Sequence, residues 1–302
     1  MVKLSSTGAM MWEKTYGFSG NDQAFSVTPT SDGGYFLLGV LDVTASGGAG
    51  NAGRASGVHA GGDYWAIRTD ASGTLLWSRY YGGSFTDTAY DAVEMDDGGF
   101  MIVGSSDSTD VDITENKGAY DFWVLRIDAN GSFVWKKNFG GSEIDLGYAI
   151  TKTGDGNVII VGDTRSNDGN VSNLYGNADV WALKINPNGA IIWEQSYGGT
   201  QFESARDIVA LPGGAYAIAA SSRSNDVDVT NNYGVNDAWV FVIDEEGELQ
   251  FQQTVGGSNL DFAGGLTVSA DGALVLVGNT ESADGNFAQN KGGKDAFIVK
   301  IK

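Results

Sequence analysis

The chain has 302 residues, of which 45 are glycine, 3 are proline, one is histidine and none is cysteine, and its 38 acidic side chains against 18 basic ones leave a net charge of −20. Glycine without proline or a triplet period is not collagen, and 42% hydrophobic residues with 11% aromatics are too apolar for a disordered tract. The missing cysteines exclude thiolate zinc sites, iron–sulfur ligation and a cysteine nucleophile, and the acidity disfavours nucleic acid, whose phosphate backbone it repels.

Apolar runs are short, as in Asn157 to Gly162, far below the roughly 18 residues of a membrane span. The stretch Met1 to Ser6 lacks the apolar core of a secretory leader, so the protein is expected either inside the cell or with a leader already removed.

Repeats organise the rest. Asp63, Asp121, Asp179, Asp237 and Asp295 recur every 58 residues, each followed two positions later by Trp65, Trp123, Trp181, Trp239 or Phe297. A second column runs through Trp12, Trp77, Trp135, Trp193 and Phe251, stepping by 65 and then by 58. The first copy therefore carries seven extra residues, between Asp42 and Gly62. All eight tryptophans lie in these two columns, which is the pattern of core and inter-repeat packing more than of an exposed stacking platform.

Each copy predicts four strands. In the second they are Ala89–Met95, Gly99–Gly104, Asp121–Ile127 and Ser132–Asn138, termed segments a to d; they are β-branched and aromatic, without a helical period. Glycine-bearing turns join a to b (Asp96 to Gly99) and c to d (Asp128 to Gly131), the signature of hairpins. Segment c is apolar on both faces, so its sheet is buried on both sides. A four-stranded meander repeated in this way predicts an all-β, five-bladed β-propeller of antiparallel blades, one domain over residues 1–302. The chain ends after segment c and begins with segment d, so the N- and C-terminal strands are expected to pair and close the ring.

In a meander the long b–c loops and the d-to-a connectors share one face, where binding is expected. Oxygen-bearing side chains recur in the loops at positions 1, 3 and 7 of twelve: Asp110, Asp112 and Asn116; Asp168 and Asn170; Asp226, Asp228 and Asn232; Asp284, Asn286 and Asn290. Hard cations take six to eight such oxygens, so calcium is the expected cofactor. The pattern departs from an EF-hand loop: position six holds Glu115, Asn173, Asn231 or Gln289 in place of glycine, and position twelve is aspartate. Asp and Asn also form turns, and Ile113, Val171, Val229 and Phe287 read as anchors of the same loops. Asp22, Asp87, Asp145, Glu203 and Asp261 are expected to tie the connectors to neighbouring blades.

One loop breaks the symmetry. Residues 44–62 are glycine-rich, lack the loop aspartates and carry Arg54 and His59, the candidate ligand-contacting residues.

The composite run Trp-x-x-x-Tyr-Gly-Gly-Ser, Asp-x-Ala, Asp-Gly-Gly-Tyr/Phe and Ser-x-Asp-x-Asp-Val-x-x-Asn-x-Gly-x-x-Asp-x-Trp resembles the repeats of large secreted propeller proteins of Bacteroidetes and archaea. The resemblance implies an extracellular or cell-surface location. Family copies often read Asp-Gly-Asp-Val-Ser-Gly-Asn, closer to a calcium loop than any copy here. The expected function is a non-catalytic binding or structural module, monomeric, whose loop face contacts a glycan or a protein. The alternative is an enzyme resembling five-bladed glycoside hydrolases. Against it, such a site needs carboxylates that differ between blades, whereas these recur in register, and no Gly-x-Ser-x-Gly elbow, phosphate loop or second histidine is present.

Overall fold

The computed structural model describes residues 1–49, 59 and 61–302. They divide into two compact units: Met1–Asn116 with Trp123–Asn138, and Lys117–Phe122 with Phe139–Lys302.

The expected meanders are present. β1 (Val2–Leu4) and β2 (Met10–Glu13) form a two-stranded sheet. Four-stranded sheets follow: β3 (Gln23–Pro29), β4 (Tyr35–Asp42), β5 (Gly62–Thr69) and β6 (Leu75–Tyr81); then β7 (Asp87–Glu94), β8 (Phe100–Ser106), β9 (Asp121–Ile127) and β10 (Phe133–Phe139). The next two are β11 (Asp145–Lys152) to β14 (Ile191–Tyr197), with β12 (Val158–Thr164) and β13 (Asp179–Ile185) between, and β15 (Glu203–Ala210) to β18 (Leu249–Val255), with β16 (Tyr216–Ser222) and β17 (Asp237–Ile243) between. A three-stranded sheet of β19 (Asp261–Val268), β20 (Leu274–Thr280) and β21 (Asp295–Ile301) completes the order. Strand order equals chain order in every sheet, with tight turns joining the outer pairs and long loops the central pair of each four-stranded sheet.

The expected shared blade is not formed. β1 and β2 stand as their own sheet, and β21 has no fourth strand beside it in its sheet. The register explains why: Lys3 lies opposite Trp12 and Leu4 opposite Met10, the pairing Lys184 and Ile185 make with Trp193 and Ile191. β1 thus occupies on β2 the place that β21 was expected to take.

Packing follows from two-sided burial. β8, β12 and β16 are buried throughout, as are β9 and β13. In the first unit Phe36, Leu38, Tyr64 and Ala66 meet Phe100, Ile102, Trp123 and Leu125; in the second, Ile159, Val161 and Val180 meet Ile218, Trp239 and Phe241. The first tryptophan column is the core: Trp123, Trp181 and Trp239 are fully buried and Trp65 nearly so. The second column joins repeats, since the indole N–H of Trp77 donates to Ala129 O and that of Trp193 to Glu245 O, both at 2.9 Å. One short helix was not expected, Val43–Ser46, one turn closed by Asp42 accepting from the Ala45 N–H and by Gly47 at φ +62°. Among the described residues no helix is long and apolar enough to cross a membrane.

Candidate functional site

The candidate metal side chains face the connectors. At position one, Asp110 accepts from the N–H and hydroxyl of Ser84 (2.9 and 2.7 Å), Asp226 from those of Thr200 (2.9 and 2.7 Å), and Asp168 and Asp284 from the N–H of Ser142 and Ser258. At position three, Asp112, Asn170, Asp228 and Asn286 accept from the N–H of Gly82, Gly140, Gly198 and Gly256 at 2.9 to 3.3 Å. Asn232 and Asn290 close their own loops on Gly234 and Gly292, and Asn116 stands half-buried at the same place. Ile113, Val171, Val229 and Phe287 are buried anchors, as read from the sequence. Among the described residues no group of three or more histidine, aspartate or glutamate side chains converges as a metal site.

Two buried carboxylates recur at each junction. The aspartate opening segment c accepts on Oδ2 from the backbone N–H four residues earlier: Lys117 to Asp121, Tyr175 to Asp179, Tyr233 to Asp237 and Lys291 to Asp295. The acid opening the following segment a holds its connector's second glycine N–H: Gly83 to Asp87, Gly141 to Asp145, Gly199 to Glu203 and Gly257 to Asp261, all at 2.7 or 2.8 Å. These acids therefore brace the connector itself, while parallel bridges from Tyr120, Ala178 and Asn236 to Ile144, Phe202 and Leu260 link one repeat to the next. Burial pushes Asp179 up to about 7, with the Glu203 carboxylate adding to it, and Asp237 up to about 6.

The first repeat adds a side chain to this arrangement. Asp63 is also fully buried, and four residues before it stands His59, whose Nδ1 lies 2.5 Å from Asp63 Oδ2. The imidazole is itself only 4% exposed and meets Tyr80 edge-on, with ring centroids 5.0 Å apart. Across Gly82 lies Asp87. A Cβ on Gly82 would sit 2.6 Å from Asp63 Oδ1 and from Asp87 Oδ2, so only glycine lets the two carboxylates face each other here. Burial pushes Asp87 up to about 7, and the Asp63 charge contributes. Like charges this close disfavour ionising together, so Asp87 takes up a proton near neutral pH.

Below this dyad the same sheet face opens. Alternate residues of a strand share a face, so Asp63, Trp65 and Ile67 line up, and the register sets Tyr80 opposite Trp65 and Ser78 opposite Ile67. A cavity of about 410 Å³ lies against Trp65, Ile67 and Ser78, walled by Tyr16, Phe18 and Leu75. His59 was singled out from the sequence; its bond to Asp63 was missed, although aligning the copies sets residue 59 in register with Lys117, Tyr175, Tyr233 and Lys291. Arg54 lies outside the described residues.

No protein-family model and no curated protein matches the chain. Among solved structures, the WD40 domain of Pan2 from Neurospora crassa matches at 11% identity over 92% of this chain and 63% of its own, with a TM-score of 0.52. Two glucose dehydrogenase structures match over all of this chain at 10% identity, covering 90% and 89% of theirs, with TM-scores of 0.51 and 0.52. At such identities the likeness is one of fold, all-β and propeller-like. It corrects the expectation of a non-catalytic module and of no enzyme, because the solved structures on this fold include enzymes. The argument behind that expectation, carboxylates repeating in register, also fails at Asp63, whose partner differs from those of the other four.

Proposed function

We propose that the chain is an enzyme with five propeller blades, resembling a glycoside hydrolase, whose proton-transferring group is His59. The observation that carries this reading is the His59–Asp63 bond: one repeat of five sets against its strand-opening aspartate the side chain best suited to move a proton near neutral pH, where the others have Lys or Tyr. Asp63 fixes the tautomer that directs Nε2 away from the buried pair and stabilises the imidazolium. Asp87, pushed up to about 7 across Gly82, takes up a proton near neutral pH and lowers the negative charge beside Asp63. In hydrolysis the imidazolium Nε2–H gives its proton to the departing sugar oxygen, and the neutral ring then takes one from the water that adds to the anomeric carbon.

The test is turnover of a panel of nitrophenyl glycosides, arabinan and fructan. Wild-type protein is expected to hydrolyse at least one of them, and His59→Gln to lose about 10²- to 10⁴-fold in kcat, the usual worth of general acid–base catalysis. No turnover on any of them by the wild type overturns the reading, as does full activity in His59→Gln.

A further inference from the structure

We propose that the cavity beside Trp65 is a subsite for one neutral sugar ring, and that Ser78 is the residue that opens it. Three features converge there, two of them departures from the repeat. The position of Ser78 is Lys136, Glu194 and Gln252 in the next three copies. Glu194 and Gln252 accept from the indole N–H of Trp181 and Trp239 at 2.8 and 3.0 Å and so fill the space at that edge of the ring. Ser78 Oγ satisfies the Trp65 N–H just as well, at 2.8 Å, with a side chain three heavy atoms shorter. The indole stays hydrogen-bonded while the space at its N–H edge empties.

Phe18 is the second departure. It stands where the other connectors have Gly83, Gly141, Gly199 and Gly257, and it adds an aromatic wall 6.2 Å from Trp65 and tilted by 59°. The third feature is the exposed rim: Phe18 is 41% and Leu75 50% exposed, so the cavity is entered from solvent. Tyr16 is fixed on the opposite side by its hydroxyl donating to Gly73 O at 2.7 Å.

The lining selects the ligand class. The exposed Phe18 ring offers a π face to the C–H face of a sugar, the buried Trp65 backs it, and the Ser78 hydroxyl and Lys14 ammonium offer polar contacts to its hydroxyls. A net charge of −20 disfavours anionic sugars. The volume, about 410 Å³, suits one ring and not an extended chain. The inference rests on the enzyme reading only for the fate of the bound sugar; binding is tested without turnover.

Saturation-transfer NMR and calorimetry with glucose, arabinose, fructose and glucuronate supply the test. Wild-type protein is expected to bind at least one neutral sugar at millimolar concentration or tighter, and glucuronate more weakly. Ser78→Gln installs the side chain that repeat four already accommodates at the N–H edge of Trp239, so it is expected to fold with an unchanged melting temperature and bind at least 10-fold more weakly. Phe18→Gly, restoring the connector glycine, is expected to weaken binding as well, and His59→Gln to leave it unchanged. Binding by Ser78→Gln equal to wild type overturns the subsite, as does no binding of any neutral sugar by the wild type. Binding without hydrolysis overturns the enzyme reading alone, and hydrolysis that Ser78→Gln leaves untouched overturns the subsite alone.

Discussion

The sheets β3–β6 and β15–β18 are built from the same repeat and put it to different uses. In β15–β18 the strand-opening aspartate, Asp237, is held by a backbone N–H, Trp239 is fully buried, and Gln252 accepts from its indole N–H. In β3–β6 the matching places hold an imidazole on Asp63, a Trp65 that floors a cavity, and Ser78. The backbone frame is common to both, down to the register shift between Ala24 and Ser26 and its counterpart between Ala205 and Asp207. Repetition fixes the frame cheaply, and a few side-chain departures in one copy create chemistry without disturbing it.

The largest effect that tests this contrast is on the two tryptophans. Trp239→Ala removes a fully buried ring from a packed cluster and is expected to cost about 3–5 kcal/mol in urea unfolding. Trp65→Ala removes a ring that already borders empty space, so fewer contacts are lost and the cost is expected to be smaller by about 1–2 kcal/mol. Equal costs would mean that the cavity leaves Trp65 as well packed as its counterpart.

How much of this is legible in the sequence depends on scale. Periodicity and turn glycines locate the strands well: Asp121–Ile127 is matched residue for residue, and Gly99–Gly104 becomes Phe100–Ser106. The helix Val43–Ser46 is one turn long, too short for any period to reveal. The closure inference failed because a pattern shows which strands can pair but not which partner is nearer at hand, and β1 takes β2. At the site, spacing picked out His59 as unusual, yet the number of bonds its neighbours make decides its role. The loop oxygens show the converse: their spacing suits a cation, and their coordinates place them on the connector N–H groups.

Acidity separates the interior junctions from the exposed hairpins. Asp179 and Asp87, each pushed up to about 7, bind a proton more tightly folded than unfolded, so their contribution to stability is complete below the ordinary carboxylate range near pH 4 and is lost as pH rises through 7. Asp32 behaves oppositely: its bonds to Thr30, Gly34 and Arg68 hold it near 2, and its contribution is lost only as pH falls toward that value. Unfolding by urea is therefore expected to show highest stability between about pH 4 and 5, declining to pH 8. Asp179→Asn should flatten that decline, being less stable than wild type at pH 5 and equal or better at pH 8. An unchanged slope would assign the proton to another group.

A smaller loss is expected at the loop face. Asp226→Ala removes two bonds to Thr200 and should lower the melting temperature only slightly, since Asp226 is exposed and water replaces most of what is lost. Melts with and without millimolar calcium distinguish the two uses of this carboxylate. An equal loss in both is expected from the connector bonds, whereas a loss confined to the calcium-loaded protein would make the loop a cation site.

The smallest effect is a gain, and it compares loops that solve one backbone problem in two ways. Position two of each b–c loop turns through the left-handed region: Gly169 and Gly285 do so at φ +65° and +63°, while Val111 and Val227 adopt +57° and +54°. A β-branched residue is strained there by about 1–2 kcal/mol, and glycine gives back roughly half of that as extra freedom in the unfolded chain. Val227 is 56% exposed, so little packing is sacrificed by removing its side chain. Val227→Gly is expected to raise unfolding free energy by about 0.5–1 kcal/mol. A loss of that size would show that the exposed valine is retained for the contacts its methyl groups make and that the turn is not strained.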